Sequence, residues 1–313
     1  MSDFHAATTT KDVLTGICLK GQTILITGAS TGLGLASAIA LAEAGADLIL
    51  TARSEEKFLI ARDAVLVKKS DAIVHFCELR LEDIASCKQA AIDINHRFTN
   101  IDHIIANAGV MACNEQRTNQ GYEWQFGVNH LGHFAFINNI IGLLTSDDCR
   151  VAVLTSGGHR LGDVDLVDPN FNQQPYDKWL SYGRAKTANA LYALALNKRM
   201  PFGRANAVHP GAITTELSRH LTQDDFASMG SSMKDSGIMM KSIDAGAATQ
   251  VWAVTSPELD GRGGLYLEDC QVGIASDDHT SGYASYIMSQ DNAEKLWHLS
   301  EQLVGQSFNF AKI

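Results

Sequence analysis

Hydrophobic and polar residues alternate in a regular rhythm from residue 21 onward. Short runs of aliphatic and β-branched residues are separated by longer stretches in which Ala, Leu and Ile recur at helical spacing. Strands that alternate with helices predict a parallel sheet covered by helices on both faces. We therefore expect an α/β fold with a single doubly wound parallel sheet, whose strands lie at residues 23–27, 47–51, 73–78, 101–106, 151–155, 204–209 and 264–267.

Two segments interrupt this rhythm. Residues 157–180 form a polar stretch after the fifth predicted strand, and residues 212–241 follow the sixth. Long irregular segments on a compact scaffold often act as binding loops or lids. We expect both segments to contact substrate, and the second, lid-like segment to supply adaptable apolar side chains through Met229, Met233, Met239 and Met240.

The two ends of the chain lie outside the alternating pattern. Residues 1–20 mix charged residues with threonine and lack the basic start and apolar run of a signal peptide, although residues 8–19 could form a short docking helix. No run reaches the roughly 18 apolar residues that predict a membrane span. We expect an N-terminal extension, one domain over residues 21–313, a closing helix near residues 291–304, and a soluble cytoplasmic protein.

Composition and charge narrow the possible functions. The chain has 313 residues, 45% of them hydrophobic, which is enough for a substantial core. A formal net charge of -10, without a long run of Lys and Arg, argues against a nucleic-acid partner. Six cysteines are scattered without a CxxC pair or a Cys/His cluster, so the sequence predicts neither a metal site nor a disulfide framework and favours a reducing compartment.

A glycine-rich turn follows the first predicted strand. Residues 27–34 read Thr-Gly-Ala-Ser-Thr-Gly-Leu-Gly and lead into a helix rich in Ala and Leu. Glycines let a pyrophosphate approach the backbone, and the helix N-terminus offers free N–H groups and the positive end of a dipole. An ordinary tight turn is the alternative, but the position after the first strand of a βα unit favours a dinucleotide-binding Rossmann fold.

Tyr182 and Lys186 form a second candidate site. They stand four residues apart and so share one face of a helix. A tyrosine ordinarily loses its proton near pH ~10, and a cation beside it stabilises the phenolate, so that such a phenol can act as acid and base near neutrality. The alternative is a solvated helix face.

These two sites belong to a series of motifs that resembles the short-chain dehydrogenase/reductase family. In chain order the series is the glycine turn of residues 27–34, Asn107-Ala108-Gly109, Asn129 in Val128-Asn129-His130, Ser156, Tyr182 with Lys186, and Pro210-Gly211 with Thr215. Other features resemble the retinol-dehydrogenase-like branch and, in the tail, its soluble members: the long gap between Ser156 and Tyr182, His209 before Pro210, Thr215-Glu216-Leu217, Ser256-Pro257-Glu258-Leu259, and Leu296-Trp297-His298-Leu299-Ser300-Glu301.

The resemblance implies an oxidoreductase in which four residues share the chemistry. Tyr182 would donate a proton to a carbonyl, or accept one from an alcohol, while a hydride moves to or from a nicotinamide ring. Lys186 would lower the pKa of Tyr182 and hold the nicotinamide ribose, and Ser156 would donate to the reacting oxygen. Asn129 would hold a water that links Lys186 to solvent. Taken singly, Ser156 could be a strand-end cap and Asn129 a helix-interior polar group bonded to backbone.

The cofactor contacts follow from the same resemblance. The implied residues are Gly28, Ser30, Thr31, Gly32, Leu33, Gly34, Arg53, Arg80, Leu81, Asn107, Ala108, Gly109, Tyr182, Lys186, Pro210, Gly211, Ile213 and Thr215.

The end of the second predicted strand indicates which cofactor is used. Enzymes that prefer NAD(H) usually place Asp or Glu there to bond the ribose 2′-hydroxyl, whereas this chain has Arg53. A guanidinium suits a 2′-phosphate by charge and bidentate geometry, so NADP(H) is favoured and NAD(H) is possible, with a solvated loop arginine as the alternative. Arg80 stands where the family usually has an Asp that bonds adenine. It could stack on adenine, add charge near the 2′-phosphate, or point to solvent while Glu78 substitutes.

The sequence constrains the substrate only loosely. His159, Tyr176, Trp179 and Leu217 are expected to line a pocket for a medium to large hydrophobic alcohol, aldehyde or ketone. Two other functions stay open. The same tyrosine could donate a proton during reduction of a carbon–carbon double bond, or the chain could be a nucleotide-sensing scaffold without chemistry, which the four filled catalytic positions disfavour.

Two further expectations concern histidines and assembly. His130 and His133 lie three residues apart without partner ligands, so we expect one core and one surface histidine rather than a metal pair. The resemblance implies a homodimer or homotetramer that pairs through the helices carrying Asn129 and Tyr182.

Overall fold

The computed structural model describes residues 3–227, 239–276 and 281–310, so Met229 and Met233 lie outside the described residues. Within these ranges, eight strands form one sheet: β1 (Thr23–Ile26), β2 (Asp47–Ala52), β3 (Val74–Glu78), β4 (His103–Ala106), β5 (Arg150–Leu154), β6 (Arg204–His209), β7 (Tyr266–Glu268) and β8 (Gln271–Val272). Their spatial order is β3-β2-β1-β4-β5-β6-β7-β8. All neighbouring pairs are parallel except β7 with β8, which is antiparallel.

Helices cover both faces of the sheet. They are α1 (Thr10–Val13), α2 (Gly32–Glu43), α3 (Glu55–Lys68), α4 (Ile84–Arg97), α5 (Trp124–Phe126), α6 (Gly132–Ile140), α7 (Lys178–Arg199), α8 (Ile243–Thr255) and α9 (Gln290–Val304). Helices α4, α6, α7 and α9 pack on one face, and α1, α2, α3 and α8 pack on the other. None of the described helices is both long enough and apolar enough to cross a lipid bilayer.

Each strand contributes side chains to both cores. Leu25 points to the core under α4 and α6, whereas Ile24 and Ile26 point to the core under α2 and α8. Strands buried on both faces read as continuous apolar runs rather than as an alternating pattern. The doubly wound parallel sheet expected from the sequence is therefore confirmed.

The predicted strands are all present, with ends that differ by at most two residues. Strand β8 was not predicted, because two residues are too few to show a pattern. It is formed by a tight hairpin in which Asp269 and Cys270 adopt positive φ angles of 51° and 56°. Such two-residue hairpins usually show Asn-Gly or Asp-Gly, and the Asp269-Cys270 pair lacks that signal.

The N-terminal docking helix is shorter than the range 8–19 in which it was expected. It comprises only α1, whose Thr9 cap and Asp12 bond to each other's backbone N–H groups. The helix packs against α8, where the Thr10 hydroxyl donates to Asp244.

Both histidines that follow Asn129 are buried, so the expectation of one surface histidine was wrong. His130 and His133 are each 1% exposed. His130 bonds through Nε2 to the Ser300 hydroxyl at 2.7 Å, and His133 bonds through Nδ1 to the main-chain oxygen of Asn129 at 2.9 Å. Both rings therefore have structural partners.

The loops at the carboxyl ends of the parallel strands surround a cleft of about 1600 Å³. Ligands of doubly wound sheets bind at this edge, at the point between β1 and β4 where the direction of the strand order reverses. The cleft is lined by residues from both irregular segments and from the loops that follow β1, β2, β4, β5 and β6.

Candidate active site

Tyr182 and Lys186 lie on successive turns of α7 and reach the cleft together. The helix begins at a cap residue, Asp177, whose carboxylate accepts from the N–H groups of Trp179 and Leu180 at 2.9 and 2.7 Å. Each of the two site residues is only 4% exposed. The solvated helix face that remained possible from sequence alone is therefore wrong.

Ser156 also contacts the phenol of Tyr182. It follows β5, and its hydroxyl bonds to Tyr182 and accepts from the N–H of Gly158 at 3.0 Å. A side-chain carbon on Gly158 would lie 2.7 Å from the Tyr182 ring. The loop after β5 can thus pass over the phenol only because residue 158 is glycine.

Burial controls the protonation of this pair. It raises the pKa of Tyr182 to about 12, against which the hydrogen bond from Ser156 acts. It lowers the pKa of Lys186 to about 8. Lys186 Nζ lies 5.9 Å from the centre of the Tyr182 ring and donates to the Leu154 carbonyl at 3.1 Å. Desolvation is the main cause of the raised pKa of Tyr182, and the expected lowering of this pKa by Lys186 stays a prediction.

Asn129 lies in a π-helical turn, Gly127–Leu131, between α5 and α6. Its side-chain oxygen accepts from the Val110 N–H at 2.8 Å, and its amide donates to the Val110 carbonyl at 2.9 Å. These two bonds fix the turn against the loop that follows β4. A side-chain carbon on Gly109 would lie 3.0 Å from Asn129 Oδ1 and 3.5 Å from Lys186 Nζ, so the asparagine and the lysine meet at this glycine.

The glycine turn has the close packing that its sequence suggests. Gly28 has a φ of 65°, and a side-chain carbon there would lie 2.7 Å from the backbone of Ala108. Asn107 Nδ2 donates to the carbonyls of Thr27 and Gly28 at 2.9 and 3.1 Å. Gly34 lies behind the cleft wall, where a side-chain carbon would be 2.4 Å from the Gly28 oxygen. Gly34 therefore allows the helix to pack on the turn rather than lining the cleft.

The start of α2 faces the cleft without a side-chain cap. Within the described residues, the hydroxyl of the cap residue Thr31 makes no bond to the first N–H groups of the helix. Ser30, Thr31, Gly32 and Leu33 all line the cleft. Uncapped N–H groups at a helix start, reached through glycine, form a site suited to a phosphate anion.

Beyond β2, the cleft has a cationic end. Arg53, Lys57 and Arg219 line it, together with the acidic Glu82 and the apolar Leu81. Arg219 and Arg53 both lie near His220. Burial lowers the pKa of His220 most, and the positive charges of the two arginines lower it further. Arg53 therefore lies on the cleft wall, and its contact with a cofactor stays a prediction.

Arg80 is placed differently from the expectation. Its guanidinium bonds to Glu78 Oε1 at 3.2 Å in an exposed pair. The main-chain N–H of Arg80 donates to the Ser86 hydroxyl at 3.2 Å. Arg80 lies outside the cleft wall, while the next residue, Leu81, lines it. Of the alternatives for Arg80, the structure selects the one in which the side chain points to solvent.

The apolar end of the cleft contains two of the four expected substrate residues. Trp179 and Leu217 pack with Leu221 around Met111, Ala112 and Tyr182. His159 and Tyr176 do not line this wall. His159 is fully buried and bonds to Ser156 O and Ala284 N at 2.6 and 3.1 Å. The Tyr176 hydroxyl donates to the Cys113 carbonyl at 2.9 Å. Both residues are held by backbone partners that sequence patterns do not reveal.

The remaining expected residues of the cofactor site converge on the cleft. Asn107, Ala108, Gly109, Pro210, Gly211, Ile213 and Thr215 all line it. Gly32 has a φ of 57°, and a side-chain carbon there would lie 3.4 Å from the Thr215 side chain. The turn after β1 and the loop after β6 thus face each other across a narrow gap.

A hydrogen-bonded chain behind the site was not predicted. The N–H of Ala108 donates to the Thr27 hydroxyl at 3.0 Å, and that hydroxyl is 2.9 Å from His133 Nε2. His133 Nδ1 then bonds to the Asn129 carbonyl. The position of His133 four residues after Asn129, on the same helix face, was the available signal.

Residues 22–225 match the family model described as short chain dehydrogenase. The chain belongs to the short-chain dehydrogenase/reductase family. This short-chain dehydrogenase/reductase is 33% identical over 300 residues to retinol dehydrogenase 14 of Mus musculus, covering 92% of this chain and 87% of the relative. It is 30% identical over 315 residues to retinol dehydrogenase 13 of Homo sapiens, covering 96% and 91%. The resemblance to the retinol-dehydrogenase-like branch is confirmed, and the protein is an oxidoreductase.

Solved structures show the same fold. An uncharacterized protein from Mycobacterium paratuberculosis superposes with a TM-score of 0.74 at 29% identity, covering 97% of this chain and 100% of that one. A short chain dehydrogenase from Shigella flexneri 2a, complexed with NADP, superposes with a TM-score of 0.59 at 21% identity, covering 79% and 96%.

Proposed function

We propose that this protein transfers a hydride between NADP(H) and a hydrophobic alcohol, aldehyde or ketone, with Tyr182 as the proton donor or acceptor. The placement of the Tyr182 phenol carries the proposal. The phenol bonds to Ser156, and both residues line the cleft that also contains the glycine turn. A carbonyl oxygen between the two hydroxyls could take a hydrogen bond from one and a proton from the other.

The residues of the cleft fit a dinucleotide. The uncapped start of α2 suits the pyrophosphate, and Gly28 and Gly32 adopt positive φ angles that keep side chains out of its way. Asn107, Ala108 and Gly109 would hold a ribose, and Ile213 and Thr215 the nicotinamide end. When bound, the cofactor supplies a hydride in the reductive direction and accepts one in the oxidative direction.

The cationic end of the cleft supports NADP(H) over NAD(H). A 2′-phosphate adds charge that Arg53, Lys57 and Arg219 would neutralise there. Of these, Arg53 lies just past β2. An acidic residue at this position would accept a hydrogen bond from the free 2′-hydroxyl of NAD(H).

The two perturbed pKa values support a proton-donor role in reduction. With its pKa raised to about 12, Tyr182 is neutral at pH 7 and holds the proton that the substrate oxygen needs. Lys186, with its pKa lowered to about 8, is mostly charged at pH 7 and can return a proton to the phenolate. We propose that Asn129, which meets Lys186 at Gly109, completes this path by holding a water that links the lysine to solvent.

The test is a panel of aldehydes and ketones followed by NADPH absorbance, run on the unmodified protein and on Tyr182→Phe. The variant should bind NADPH as before and lose about a hundredfold or more of kcat, because general acid catalysis contributes that much. Tyr192→Phe is the matched control, since Tyr192 is a buried tyrosine of the same helix whose hydroxyl bonds to Asn138.

Two results would count against the proposal. Full activity in Tyr182→Phe would remove this residue as proton donor. NADPH binding without oxidation across the whole panel would favour a scaffold without chemistry. An enone in the panel identifies the alternative reduction, because a saturated ketone and an unsaturated alcohol are distinct products.

A further inference from the structure

His209 is the last residue of β6, and its imidazole lines the cleft beside the loop that carries Ser156. Its Nδ1 lies 3.1 Å from the N–H of Gly157 and 3.4 Å from the N–H of Gly211. Main-chain N–H groups can only donate, so Nδ1 must be the unprotonated nitrogen. The neutral ring therefore carries its proton on Nε2.

The Nε2–H group lies close to the loop that follows β5. A side-chain carbon on Gly157 would lie 3.4 Å from Nε2, which places this nitrogen close to the residue that follows Ser156. Among the described residues, Nε2 has no hydrogen-bond acceptor. Because His209 lines the cleft, this donor is available to a ligand that supplies an acceptor.

The surroundings of His209 keep the ring neutral. Burial lowers the pKa of His209 to about 3, and the nearby His159, Lys241 and Arg160 act in the same direction, while Asp269 opposes them. The ring also stacks on Tyr266, with centroids 6.4 Å apart. His209 is thus a fixed, neutral donor over the ordinary pH range, rather than an acid or base.

The charged side chains at this end of the cleft already have partners. Arg160 donates to the carbonyls of Ser276 and Ser281 at 3.0 and 2.9 Å. Glu268 accepts from the N–H of Gly282 at 2.6 Å, and Lys241 pairs with Asp269. The cleft wall around Tyr182 is apolar. The cleft therefore offers both a neutral hydrogen-bond donor and an apolar wall.

We propose that His209 Nε2–H binds a second oxygen of the substrate, close to the carbonyl that is reduced. The preferred substrates would be carbonyl compounds with an acceptor oxygen near the reacting carbon and an apolar body, such as diketones, ketoesters and hydroxyketones. This inference rests on the proposed function and names the substrate class for the same site.

The experiment compares two ketones that differ in one oxygen, 1-phenylpropane-1,2-dione and propiophenone, with NADPH and the full chain. His209→Asn keeps an acceptor near the Nδ1 position but is too short to place its amide donor at the Nε2 position, whereas His209→Gln keeps a donor near the Nε2 position. Relative to the unmodified protein, the ratio of kcat/KM for dione over monoketone should fall about tenfold in His209→Asn, the loss expected for one hydrogen bond. The ratio should be largely kept in His209→Gln.

Two results would overturn the inference. An unchanged ratio in His209→Asn would mean that the donor does not bind the second oxygen, and equal losses on both ketones would then show that His209 only braces the loop. A weaker NADPH affinity in that variant would mean that His209 binds the cofactor.

A second measurement separates this inference from the proposed function. Histidine nitrogen NMR on the NADP⁺-bound protein should show a proton on Nε2 of His209, and the dione should shift that resonance more than propiophenone does. A proton on Nδ1, or equal shifts, would refute the inference even if neither ketone were turned over. If neither ketone is turned over while the dione shifts the resonance, only the proposed function fails.

Discussion

Lys186 is a buried amine whose charged form is disfavoured in the folded protein. Burial lowers its pKa from 10.5 to about 8, so between these values the unfolded chain binds a proton that the folded chain does not. This difference in proton binding makes the folded state gain stability as the pH rises from about 8 to 10.5. Below pH 8 the full cost of burying the charge is present.

Replacing Lys186 should reveal this cost directly. We expect Lys186→Met to have a higher unfolding free energy than the unmodified protein at pH 8. This difference should decrease by about 3 kcal/mol between pH 8 and 10.5. Other groups that titrate there do so in both proteins and cancel. Lys186→Arg is the control, because a guanidinium keeps its charge and should become steadily less stable than the lysine protein over the same range. Urea unfolding at several pH values measures both differences, and parallel curves for all three proteins would disprove the buried charge.

Arg53 is the residue on which the proposed preference for NADP(H) over NAD(H) rests. Removing it in Arg53→Ala should raise the KM for NADPH by about ten- to a hundredfold, since a hydrogen bond to a charged group contributes about 1.5–3 kcal/mol. The KM for NADH should change little, because that cofactor lacks the 2′-phosphate. Arg62→Ala is the matched control, as Arg62 is a nearby arginine that pairs with Asp63. Equal changes for NADPH and NADH would show that Arg53 does not distinguish them.

At the scale of elements, the site depends on one chain of bonds that joins three segments. The Thr27 hydroxyl connects the end of β1 to Ala108 after β4 and, through His133, to the π-helical turn that contains Asn129. Because two backbone groups bond to this chain, the turn and both loops are held in a fixed arrangement. Burial lowers the pKa of His133 to about 4, so the ring stays neutral and keeps the tautomer that the chain requires.

Breaking this chain should cost more than deleting a surface hydroxyl. Thr27→Val leaves the Ala108 N–H and His133 Nε2 without their buried partner and should reduce the unfolding free energy by about 1–3 kcal/mol. Thr27→Ser keeps the hydroxyl and should stay within about 1 kcal/mol of the unmodified protein. Denaturant unfolding compares the two. If Thr27→Val cost no more than Thr27→Ser, the hydrogen bonds would contribute no more to stability than the methyl group that the serine variant lacks.

Hydrophobic periodicity and glycine spacing were sufficient to predict most helices and strands. The side-chain positions that they failed to predict depend on hydrogen bonds to the main chain. Strand β1 and its turn could be read from the sequence because each residue type has a local meaning there. The burial of His159 could not, because its partner Ala284 lies 125 residues away. The same applies to Tyr176, whose partner Cys113 lies 63 residues away.

At the scale of the whole molecule, α9 covers the surface through which pairing was expected. Trp297 packs against Phe134 of α6 and Tyr192 of α7, with ring centroids 4.9 and 6.1 Å apart. Ser300 bonds to His130 in the π-helical turn, and Phe308 packs on Phe134 at 5.5 Å. The apolar faces of the helices that carry Asn129 and Tyr182 are therefore buried within one chain.

This packing leads us to expect a monomer. Light scattering at micromolar concentration should give a mass near 33.8 kDa. A mass two or four times larger would contradict this expectation. Trp297→Ala should uncover apolar side chains of α6 and α7 and favour association, because large exposed apolar patches promote contacts between chains.

The passage of Gly158 over the Tyr182 ring has an evolutionary consequence. Every glycine codon becomes an alanine codon by one base change, and the added methyl carbon would stand 2.7 Å from the phenol ring. Such a change would displace Tyr182, the proposed proton donor, while the turn after β1 and the cationic end of the cleft stayed intact. Under the proposed function, a gene for this oxidoreductase is therefore a single nucleotide away from encoding a protein that would still bind its dinucleotide and no longer oxidise or reduce it.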